Sequence, residues 1–560
     1  MLEVLKIKIQ EYLNKRVNEE MNLSLSLVVE NPKDKTKGDI AIPSFQLSKI
    51  LHKSPMEIAP LIKNYLEELD YFEKIECVGP YVNAFYSREK LIKLILDNVD
   101  SIKEKNDPKG VILIDYSSPN IAKNFSIGHL RSTILGQSIG NIFEYLNYKV
   151  VRINHLGDFG TQFGKLIYAY LNWGDKEKVM ENPISELVSL YVKFHEEAEK
   201  DPSLDDKARE IFNELEEGNP KYRALWSSFK DASLKEFKRI YDLLGVTFDE
   251  YSSEASASRD SNRVLSLLDK KNLLEIDNGA TIIRIGDDIP PAIVKRSDGA
   301  TLYITRDLEE IHRRYDKYHF DQMLYCVGNE QKLYFNQLKR VLKRMDAPFK
   351  DSVTHVNFGL ILTGGKKMST RHGNAIGLNE VLNESIRLAK EHIQEKNDSL
   401  DDKDEIAKNV GVSAIIFNDL KNYHENDYEF NLEDATRFEG QTGPYLQYTS
   451  VRISSILKQS DFDKDNISFE LLSKDDFFEI VKKLDEFDVI LEKCKEEYAP
   501  NYLAKYLLQL ASLFNSFYSK EKCLVDDIIE RNTKLYLIYL IKSRLDLGMK
   551  LLGMKLVDKM

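Results

Sequence analysis

Hydrophobic and polar positions follow the clearest pattern in the stretch that begins at residue 111. An uninterrupted apolar run over 111–114 predicts a buried strand, and apolar residues at helical spacing over 127–146 predict an amphipathic helix. Another apolar run over 150–153 predicts a second strand, parallel to the first because a crossover helix joins them. Ligands of parallel sheets bind outside the carboxyl ends of the strands. The polar loop over 115–126 is therefore the first candidate site.

The flanking segments carry different patterns, which predict three domains. Residues 1–105 predict an α+β module with strand-like segments at LSLSLVV and IECVGPYVNAFY. Residues 106–395 predict a sheet-based domain with insertions at about 170–230 and 252–300. Its further strand-like runs are TIIRI, AIVKR, TLYITRD, MLYCVG and HVNFGLIL. Residues 396–560 predict an α-helical domain, because strand patterns almost vanish there.

Composition and charge narrow the class of protein. A hydrophobic content of 42% and a charged content of 30% are typical of soluble globular chains, and 560 residues exceed what one core usually supports. No apolar run is long enough to span a membrane, and a net charge of -12 disfavours a non-specific DNA binder while allowing local basic surfaces for a folded RNA. The four cysteines show no CxxC spacing, which argues against a zinc site and a disulfide scaffold. We therefore expect a cytoplasmic protein with no DNA or membrane partner.

Two short motifs carry groups that suit phosphate binding. SIGH, over 126–129, places a glycine and a histidine in the first turn of a predicted helix, where backbone N–H groups carry a partial positive charge. Four residues of GGKKMSTRHGN, the loop over 364–374, supply cationic or hydroxyl groups: Lys366, Lys367, Ser369 and Arg371. Taken singly, each motif also has a plainer interpretation, namely a helix N-cap beside a packed histidine and a solvated basic turn.

Together the two motifs resemble the signatures of class I aminoacyl-tRNA synthetases, and their neighbours resemble the arginyl-tRNA synthetase family. These neighbours are DYSSPNIAK before SIGH, NHLGDFGTQFG at 154–164, LYITRD at 302–307 and GQTGPYLQY at 440–448. The resemblance extends from the N-terminal module to the final KLVDKM. It implies a multidomain α/β protein: a class I synthetase Rossmann-like parallel sheet with insertions, an N-terminal α+β module that contacts tRNA, and a C-terminal α-helical anticodon-binding domain.

The resemblance also implies an activity. L-arginine would react with ATP to form arginyl-adenylate, and arginine would then pass to the 3′ end of tRNA(Arg), with activation requiring bound tRNA. Mg²⁺ would arrive with ATP, with no metal site built from the protein alone. We expect a monomer. Two other functions stay open: a catalytically altered paralogue that binds tRNA in a regulatory or structural role, and another nucleotidyltransferase of the same superfamily.

The chain departs from the family at both signatures. Ser126 stands where the first motif usually opens with histidine, and Thr370 stands where the second usually ends in lysine. A serine hydroxyl still donates a hydrogen bond to phosphate. Some arginyl enzymes resemble this chain in having a lysine just before the first motif that supplies the missing charge, and Lys123 holds that position. The predicted catalytic residues are therefore Lys123, Ser126, His129 and Lys367.

The remaining site residues are those at positions that match the family. The candidate ATP contacts are Ser126, Gly128, His129, Glu330, Phe358, Gly359, Leu360, Lys367, Met368 and Ser369. The candidate arginine contacts are Asp115, Asn120, Tyr303, Asp307 and Gln331. The two acids suit a planar, permanently charged guanidinium, and the two amides suit the α-amino and carboxylate groups. The candidate tRNA contacts are Tyr445, Gln447, Tyr448 and Arg452, although an aromatic-rich helix is by default core.

Overall fold

The computed structural model describes residues 1–22, 25–32, 34–99, 107–123, 125–257, 262–297, 302–368, 376–396 and 400–560. The chain divides into two compact units. The first comprises Met1–Glu104, Thr449–Ile490 and Tyr506–Leu547, and the second comprises Lys105–Tyr448, Leu491–Lys505 and Gly548–Met560. The domain limits expected at residues 105 and 395 remain predictions.

The N-terminal part of the first unit is an α+β module, as predicted. Its elements are α1 (Leu2–Met21), β1 (Ile40–Pro43), α2 (Phe45–Leu51), α3 (Pro55–Glu67), β2 (Phe72–Val78), β3 (Tyr81–Tyr86) and α4 (Arg88–Val99). The strands form an antiparallel sheet in the order β1-β3-β2. Helix α3 begins where the sequence directs it to, since Ser54 caps its first turn and Pro55 occupies its first position.

One strand predicted for this module is wrong. The described residues 25–29 of LSLSLVV form no strand. Leu27 and Val29 are buried while Ser26 and Val28 are exposed, so the segment has the alternation of a strand without its backbone pairing. Helix α1 satisfies the backbone instead, because the N–H groups of Leu25 and Leu27 donate to side-chain oxygens of Asn18 and Asn14 at 2.9 and 2.6 Å.

A parallel sheet lies at the centre of the second unit. The order of its strands in the described chain is β11 (Val353–Phe358), β10 (Gln322–Gly328), β4 (Val111–Asp115), β5 (Lys149–Leu156) and β6 (Glu250–Ser253). Helix α5 (Ile127–Tyr145) connects β4 to β5, so the predicted strand, helix and parallel strand are confirmed. The chain continues to β5 on one side of β4 and returns to β10 on the other. The carboxyl ends of β4 and β10 therefore flank the switch point at which such sheets bind ligands.

Insertions follow β5 and β6. Helices between these strands are α6 (Thr161–Trp173), α7 (Lys176–Glu181), α8 (Pro183–Lys200), α9 (Ser203–Glu217) and α10 (Pro220–Leu244). After β6 come α11 (Glu254–Ala257), α12 (Asn262–Lys270) and the antiparallel strands β7 (Glu275–Asp277), β8 (Ala280–Ile283) and β9 (Ala292–Lys295). Helices α13 (Tyr303–Tyr318) and α14 (Lys332–Arg344) precede and follow β10.

The strand predicted at TLYITRD is wrong, because α13 begins at Tyr303 within this segment. Apolar residues at Leu302 and Ile304 alternate with polar ones and imitate a strand. The buried positions continue at Leu308 and Ile311, which is a helical period. The segment after 302 therefore places its acidic and basic residues along a helix.

A small sheet and several helices complete the chain. The sheet has the order β13 (Lys366–Lys367), β12 (Ile361–Thr363) and β14 (Tyr428–Glu429). The helices are α15 (Leu378–Lys396), α16 (Lys403–Leu420), α17 (Leu432–Thr436), α18 (Gly443–Leu457), α19 (Phe469–Leu472), α20 (Asp475–Glu497), α21 (Asn501–Lys520) and α22 (Ile528–Leu551). The predicted helical C-terminal part is confirmed. None of the helices described is long and apolar enough to cross a membrane.

Candidate active site

The loop after β4 holds three non-glycine residues in the left-handed region of backbone space. Their φ values are 72° at Ser117, 43° at Ser118 and 58° at Ala122. Such backbone is unfavourable by about 1–3 kcal/mol per residue unless its surroundings hold it. Here the Ser117 N–H donates to Ser132 Oγ at 2.9 Å, and the Ala122 N–H donates to Ser233 Oγ at 3.1 Å. The loop is thus fixed in a conformation that is typical of binding sites.

Helix α5 begins after Ser126 and holds His129 in one orientation. The Ser126 N–H donates to His129 Nδ1 at 3.1 Å, and Phe125 stacks on the imidazole with ring centroids 5.0 Å apart. Because Nδ1 accepts this bond, the neutral ring carries its proton on Nε2. Burial lowers the pKa of His129, and the positive charges of Lys123 and Lys367 lower it further. His129 is therefore a neutral imidazole with one N–H donor.

Gly128 leaves the first turn of α5 open. A Cβ on Gly128 would have Ser126 Oγ as its nearest described neighbour, at 3.6 Å. That distance is an ordinary van der Waals contact, so packing within the protein does not require glycine here. Its missing side chain instead allows a ligand to approach the backbone at the helix N-terminus.

Backbone hydrogen bonds join the two motif segments. The Ile127 N–H donates to the Ile376 carbonyl at 3.0 Å, and the Leu378 N–H donates to the Phe125 carbonyl at 2.8 Å. On the other side of the motif loop, β13 pairs with β12 and carries Lys367. Three residues of this loop that the sequence singled out lie outside the described residues, namely Ser369, Thr370 and Arg371.

A cavity of about 310 Å³ lies between the two motif segments. It is lined by predicted ATP contacts from both, namely Ser126, Gly128, His129, Glu330, Phe358, Gly359, Leu360, Lys367 and Met368. Ile127, Arg131, Gly328 and Ile361 complete the lining. Residues chosen from separate parts of the chain thus converge on one cavity.

The wall opposite α5 is closely packed. Glu330 Oε2 lies so near Gly328 that a Cβ on this glycine would be only 2.4 Å away. The N–H of Gly359 donates to a backbone carbonyl at 2.9 Å, and the N–H of Leu360 donates to Asp427 Oδ1 at 2.6 Å. Neither amide is free to donate to a ligand, so these residues offer a ligand their surfaces rather than their N–H groups.

A buried ion pair links the cavity to the small sheet. Arg131, 2% exposed, places Nε 3.1 Å from Asp419 Oδ2. Its Nη1 donates to the Asn426 carbonyl at 2.9 Å, and the Tyr428 hydroxyl donates to Asp419 Oδ2 at 3.0 Å. Tyr428 lies on β14, which pairs with β12 beside the Lys367-bearing β13. Arg131 therefore connects the helix of the first motif to the sheet of the second.

Asp115, at the end of β4, already has an arginine partner. Its Oδ2 lies 2.8 Å from Arg314 Nη1, and its Oδ1 accepts a hydrogen bond from Ser118 Oγ at 2.9 Å. Arg314 also contacts Glu310 at 2.9 Å and Ser252 Oγ at 3.1 Å. Asp115 thus binds a guanidinium, but one that belongs to the chain itself. Its contact with a substrate stays a prediction.

Asp307 lies near the start of α13 and is half-buried. Its Oδ2 accepts a hydrogen bond from the Tyr334 hydroxyl. Burial raises the pKa of Asp307, and the charge of Asp115 raises it further, whereas Tyr334, His155 and Arg314 lower it. A carboxylate whose charged form is disfavoured in this way is stabilised by a nearby cation.

The other predicted arginine contacts are exposed. Tyr303 is 64% exposed, and Arg306 Cζ lies 5.9 Å from its ring centroid. Asn120 and Gln331 are also exposed. Asn120 depends on Gly157, since a Cβ there would lie 2.3 Å from Asn120 Oδ1. Their contacts with a substrate stay predictions.

The four predicted tRNA contacts are partly occupied by packing and hydrogen bonds within the protein. Gln447 is 1% exposed, and its Nε2 donates to the Lys555 carbonyl at 2.6 Å. Tyr445 and Tyr448 are half-buried. Arg452, in the first unit, donates to Asn515 Oδ1 at 3.1 Å. The tRNA contacts of these four residues stay predictions.

Comparison with known proteins gives the same domain order. The sequence model described as tRNA synthetases class I (R), catalytic domain, matches residues 91–432. The arginyl tRNA synthetase N terminal domain matches residues 3–86, and the DALR anticodon binding domain matches residues 446–560. This chain belongs to the class I arginyl-tRNA synthetase family. Family membership accounts for the order of these parts along the sequence: an N-terminal module, the parallel sheet and C-terminal helices.

Relatives within the arginyl-tRNA synthetase family match nearly the whole chain. The arginine–tRNA ligase of Enterococcus faecalis is 44% identical over 553 residues, which cover 97% of this chain and 98% of the relative. That of Streptococcus agalactiae serotype III is 45% identical over 549 residues, 97% of each chain. The solved Thermus thermophilus arginyl-tRNA synthetase is 24% identical and has a TM-score of 0.82, over 99% of this chain and 100% of that one. At that identity the likeness concerns the fold alone.

Three residues at the candidate site were not predicted from the sequence. Arg314 and Tyr334 contact the two predicted arginine-binding acids, and Arg131 lines the predicted ATP cavity. Arg314 follows Asp307 by about two helical turns, so reading the segment as a helix would have placed both on one face. No local signal indicates the partner of Arg131, because that partner is distant in the chain.

Proposed function

We propose that this chain is an arginine–tRNA ligase, which activates L-arginine with ATP and transfers it to the 3′ end of tRNA(Arg). The observation that carries the proposal is the convergence of both motifs on one cavity of about 310 Å³. Family membership and relatives that are 44% and 45% identical over nearly their whole length support the same activity.

In this proposal the phosphates of ATP lie against the start of α5. Lys367 lines the cavity, and the positive charges of Lys123 and Lys367 both lower the pKa of His129, so both charges lie near this ring. These charges neutralise the phosphate while the arginine carboxylate attacks the α-phosphorus. The Nε2–H of His129 and the first helical turn at Ser126 and Gly128 add neutral donors. Lys123 supplies the charge that the second motif lacks.

The base and ribose of ATP contact the opposite wall. Phe358, Leu360 and Met368 pack on adenine, and Glu330 accepts a hydrogen bond from a ribose hydroxyl. Mg²⁺ enters with ATP and is held by phosphate oxygens. The cavity supports the assignment of the ribose to Glu330, because this residue is the one acid in the described lining.

Arginine is selected by charge and geometry. Asp307 and Asp115 select the guanidinium, and Tyr303 stacks on it. Asn120 and Gln331 bind the α-amino and carboxylate groups. A neutral or shorter amino acid leaves a carboxylate of the site without its cation, which supports discrimination on the order of 10⁴ without an editing site.

The N-terminal module and the C-terminal helices bind tRNA(Arg), and the candidate contacts on the helices are Tyr445, Tyr448 and Arg452. The chain acts as a monomer in the cytoplasm, and bound tRNA is required before arginine is activated.

ATP–pyrophosphate exchange tests the proposal, run with arginine alone, with tRNA(Arg) alone and with both. Exchange should need both. Asp307→Ala should lose arginine-dependent exchange while it retains ATP binding measured by calorimetry. If the chain binds tRNA but supports neither exchange nor charging under any condition, it is an altered tRNA-binding paralogue instead.

A further inference from the structure

A guanidinium of the chain itself lies beside the acids proposed to select arginine. Arg314 is 1% exposed, and strands β4, β6 and β10 all contribute to its surroundings. Its Nη1 lies 2.8 Å from Asp115 Oδ2, its Nη2 donates to Ser252 Oγ at 3.1 Å, and its Cζ lies 5.8 Å from the ring centroid of Tyr325. Its Nε lies 2.9 Å from Glu310 Oε1. Arg314 is therefore a fixed part of the site.

The charges around Arg314 are nearly matched. Glu310 is shared, since Arg313 Nη2 lies 2.6 Å from the same oxygen, and Arg313 also pairs with Glu250 at 2.8 Å. Asp115, by comparison, pairs with Arg314 and with no other cation among the described residues. Asp307, by contrast, forms no ion pair within the described chain, and its partner there is the Tyr334 hydroxyl.

We propose that Arg314 is a positioning residue for arginine selection, because it compensates Asp115 and leaves Asp307 as the carboxylate that receives the substrate guanidinium. The inference rests on the proposed function and deepens it by separating the roles of the two acids. Asp307 touches the substrate, and Asp115 acts through Arg314. The site then accepts one additional guanidinium rather than two.

Arg314 also controls the charge of Asp307. Burial raises the pKa of Asp307, as does Asp115, whereas Tyr334, His155 and Arg314 lower it. Loss of Arg314 would remove one lowering influence and leave the negative charge of Asp115 uncompensated. The pKa of Asp307 would then rise further, and a protonated carboxyl no longer pairs with a guanidinium. The titratable or charged groups that face Asp307 are Tyr334, His155, Arg314, Asp115, Tyr325 and Glu254.

The test compares Arg314→Gln, Arg314→Lys and Arg313→Gln in the full chain. KM values for arginine and ATP are measured by tRNA-dependent pyrophosphate exchange from about pH 6.5 to about pH 9. For Arg314→Gln we expect the arginine KM near neutral pH to rise roughly 10- to 100-fold. It should fall again as the pH rises, because Asp307 loses its proton, while the ATP KM stays within about twofold. The other groups that face Asp307 are the same in every variant, so the difference between the curves reports the substitution.

The two other variants serve as controls. Arg314→Lys keeps the charge, so it should retain the wild-type pH dependence with a smaller rise in KM. Arg313 shares Glu310 with Arg314 but has no contact with Asp115. The arginine KM of Arg313→Gln should therefore stay near wild type.

An arginine KM of Arg314→Gln that equals wild type, or is raised by the same factor at every pH, would overturn the inference, since a merely structural residue gives no pH signature. If Arg314→Gln does not fold, the double variant Arg314→Gln/Asp115→Asn removes both charges of the pair. It should keep the arginine KM within about threefold of wild type, because Asp307 still receives the substrate. A KM raised as strongly as by Asp115→Asn alone would mean that Asp115 contacts the substrate and would overturn the inference. Failure of the wild-type chain to exchange with arginine and tRNA would overturn the proposed function itself.

Discussion

Replacing Asp419 with asparagine should destabilise the second unit and weaken ATP binding together. The substitution keeps the shape of the side chain but removes the negative charge 3.1 Å from Arg131 Nε. The two side chains are only 4% and 2% exposed, so water cannot replace the lost counter-ion. Breaking a buried pair costs about 3–5 kcal/mol. Because Arg131 keeps the Asn426 carbonyl at 2.9 Å and the Tyr428 ring 5.1 Å away, we expect a loss of about 3 kcal/mol.

Urea unfolding and hydrogen exchange at the amides of β12 and β14 measure the loss of stability, and pyrophosphate exchange measures the KM for ATP. We expect a lower urea midpoint and an ATP KM raised roughly tenfold, with the arginine KM near wild type. The matched control is Tyr428→Phe, which removes only the hydroxyl donor to Asp419 and should cost about 1 kcal/mol.

A double variant separates stability from binding. Arg131→Met with Asp419→Leu should recover most of the stability, because a well-packed apolar pair often equals a buried ion pair. It should not recover ATP affinity, because Arg131 lines the cavity. A wild-type urea midpoint for Asp419→Asn would refute the reasoning, as would an unchanged ATP KM.

Two further predictions concern the same cavity. Lys123→Ala should slow adenylate formation by roughly 10²–10³ while tRNA affinity in filter binding stays at wild type. Lys149→Ala, which removes an exposed lysine outside the loop, is the control, and an unchanged activation rate would mean that Lys123 does not supply the charge. Because burial lowers the pKa of His129 below its ordinary value of 6.5, the ring is neutral above that pH, so the ATP KM should stay level up to about pH 8.5. A rise over that range that disappears in His129→Gln would show that a charged imidazole binds the phosphate.

The central unit of the fold could be predicted from the sequence because its signals are local. The apolar run over 111–114 and the helical spacing over 127–146 each lie within one element, and strand β4 and helix α5 formed as expected. The cavity could also be predicted, since its lining comes from the two motifs and the segments beside strands β10 and β11.

The remaining parts depend on contacts that one segment does not reveal. In LSLSLVV, the alternation of leucine and serine predicted a strand, but Asn14 and Asn18 of α1 accept hydrogen bonds from backbone N–H groups that a sheet would have paired. In TLYITRD, two alternating apolar residues outweighed the longer helical period of α13. That error hid Arg314, which reaches Asp115 only from the helix.

Charging a tRNA(Arg) transcript with labelled amino acids, using the purified chain and ATP, measures both the proposed activity and its selectivity. We expect arginyl-tRNA to accumulate, and lysine and the neutral analogue citrulline to be charged less efficiently by a factor on the order of 10⁴. Citrulline has the shape of arginine without its charge, so it isolates the contribution of the buried acids. Comparable charging with citrulline, or tRNA binding without any charging by arginine, would contradict the account.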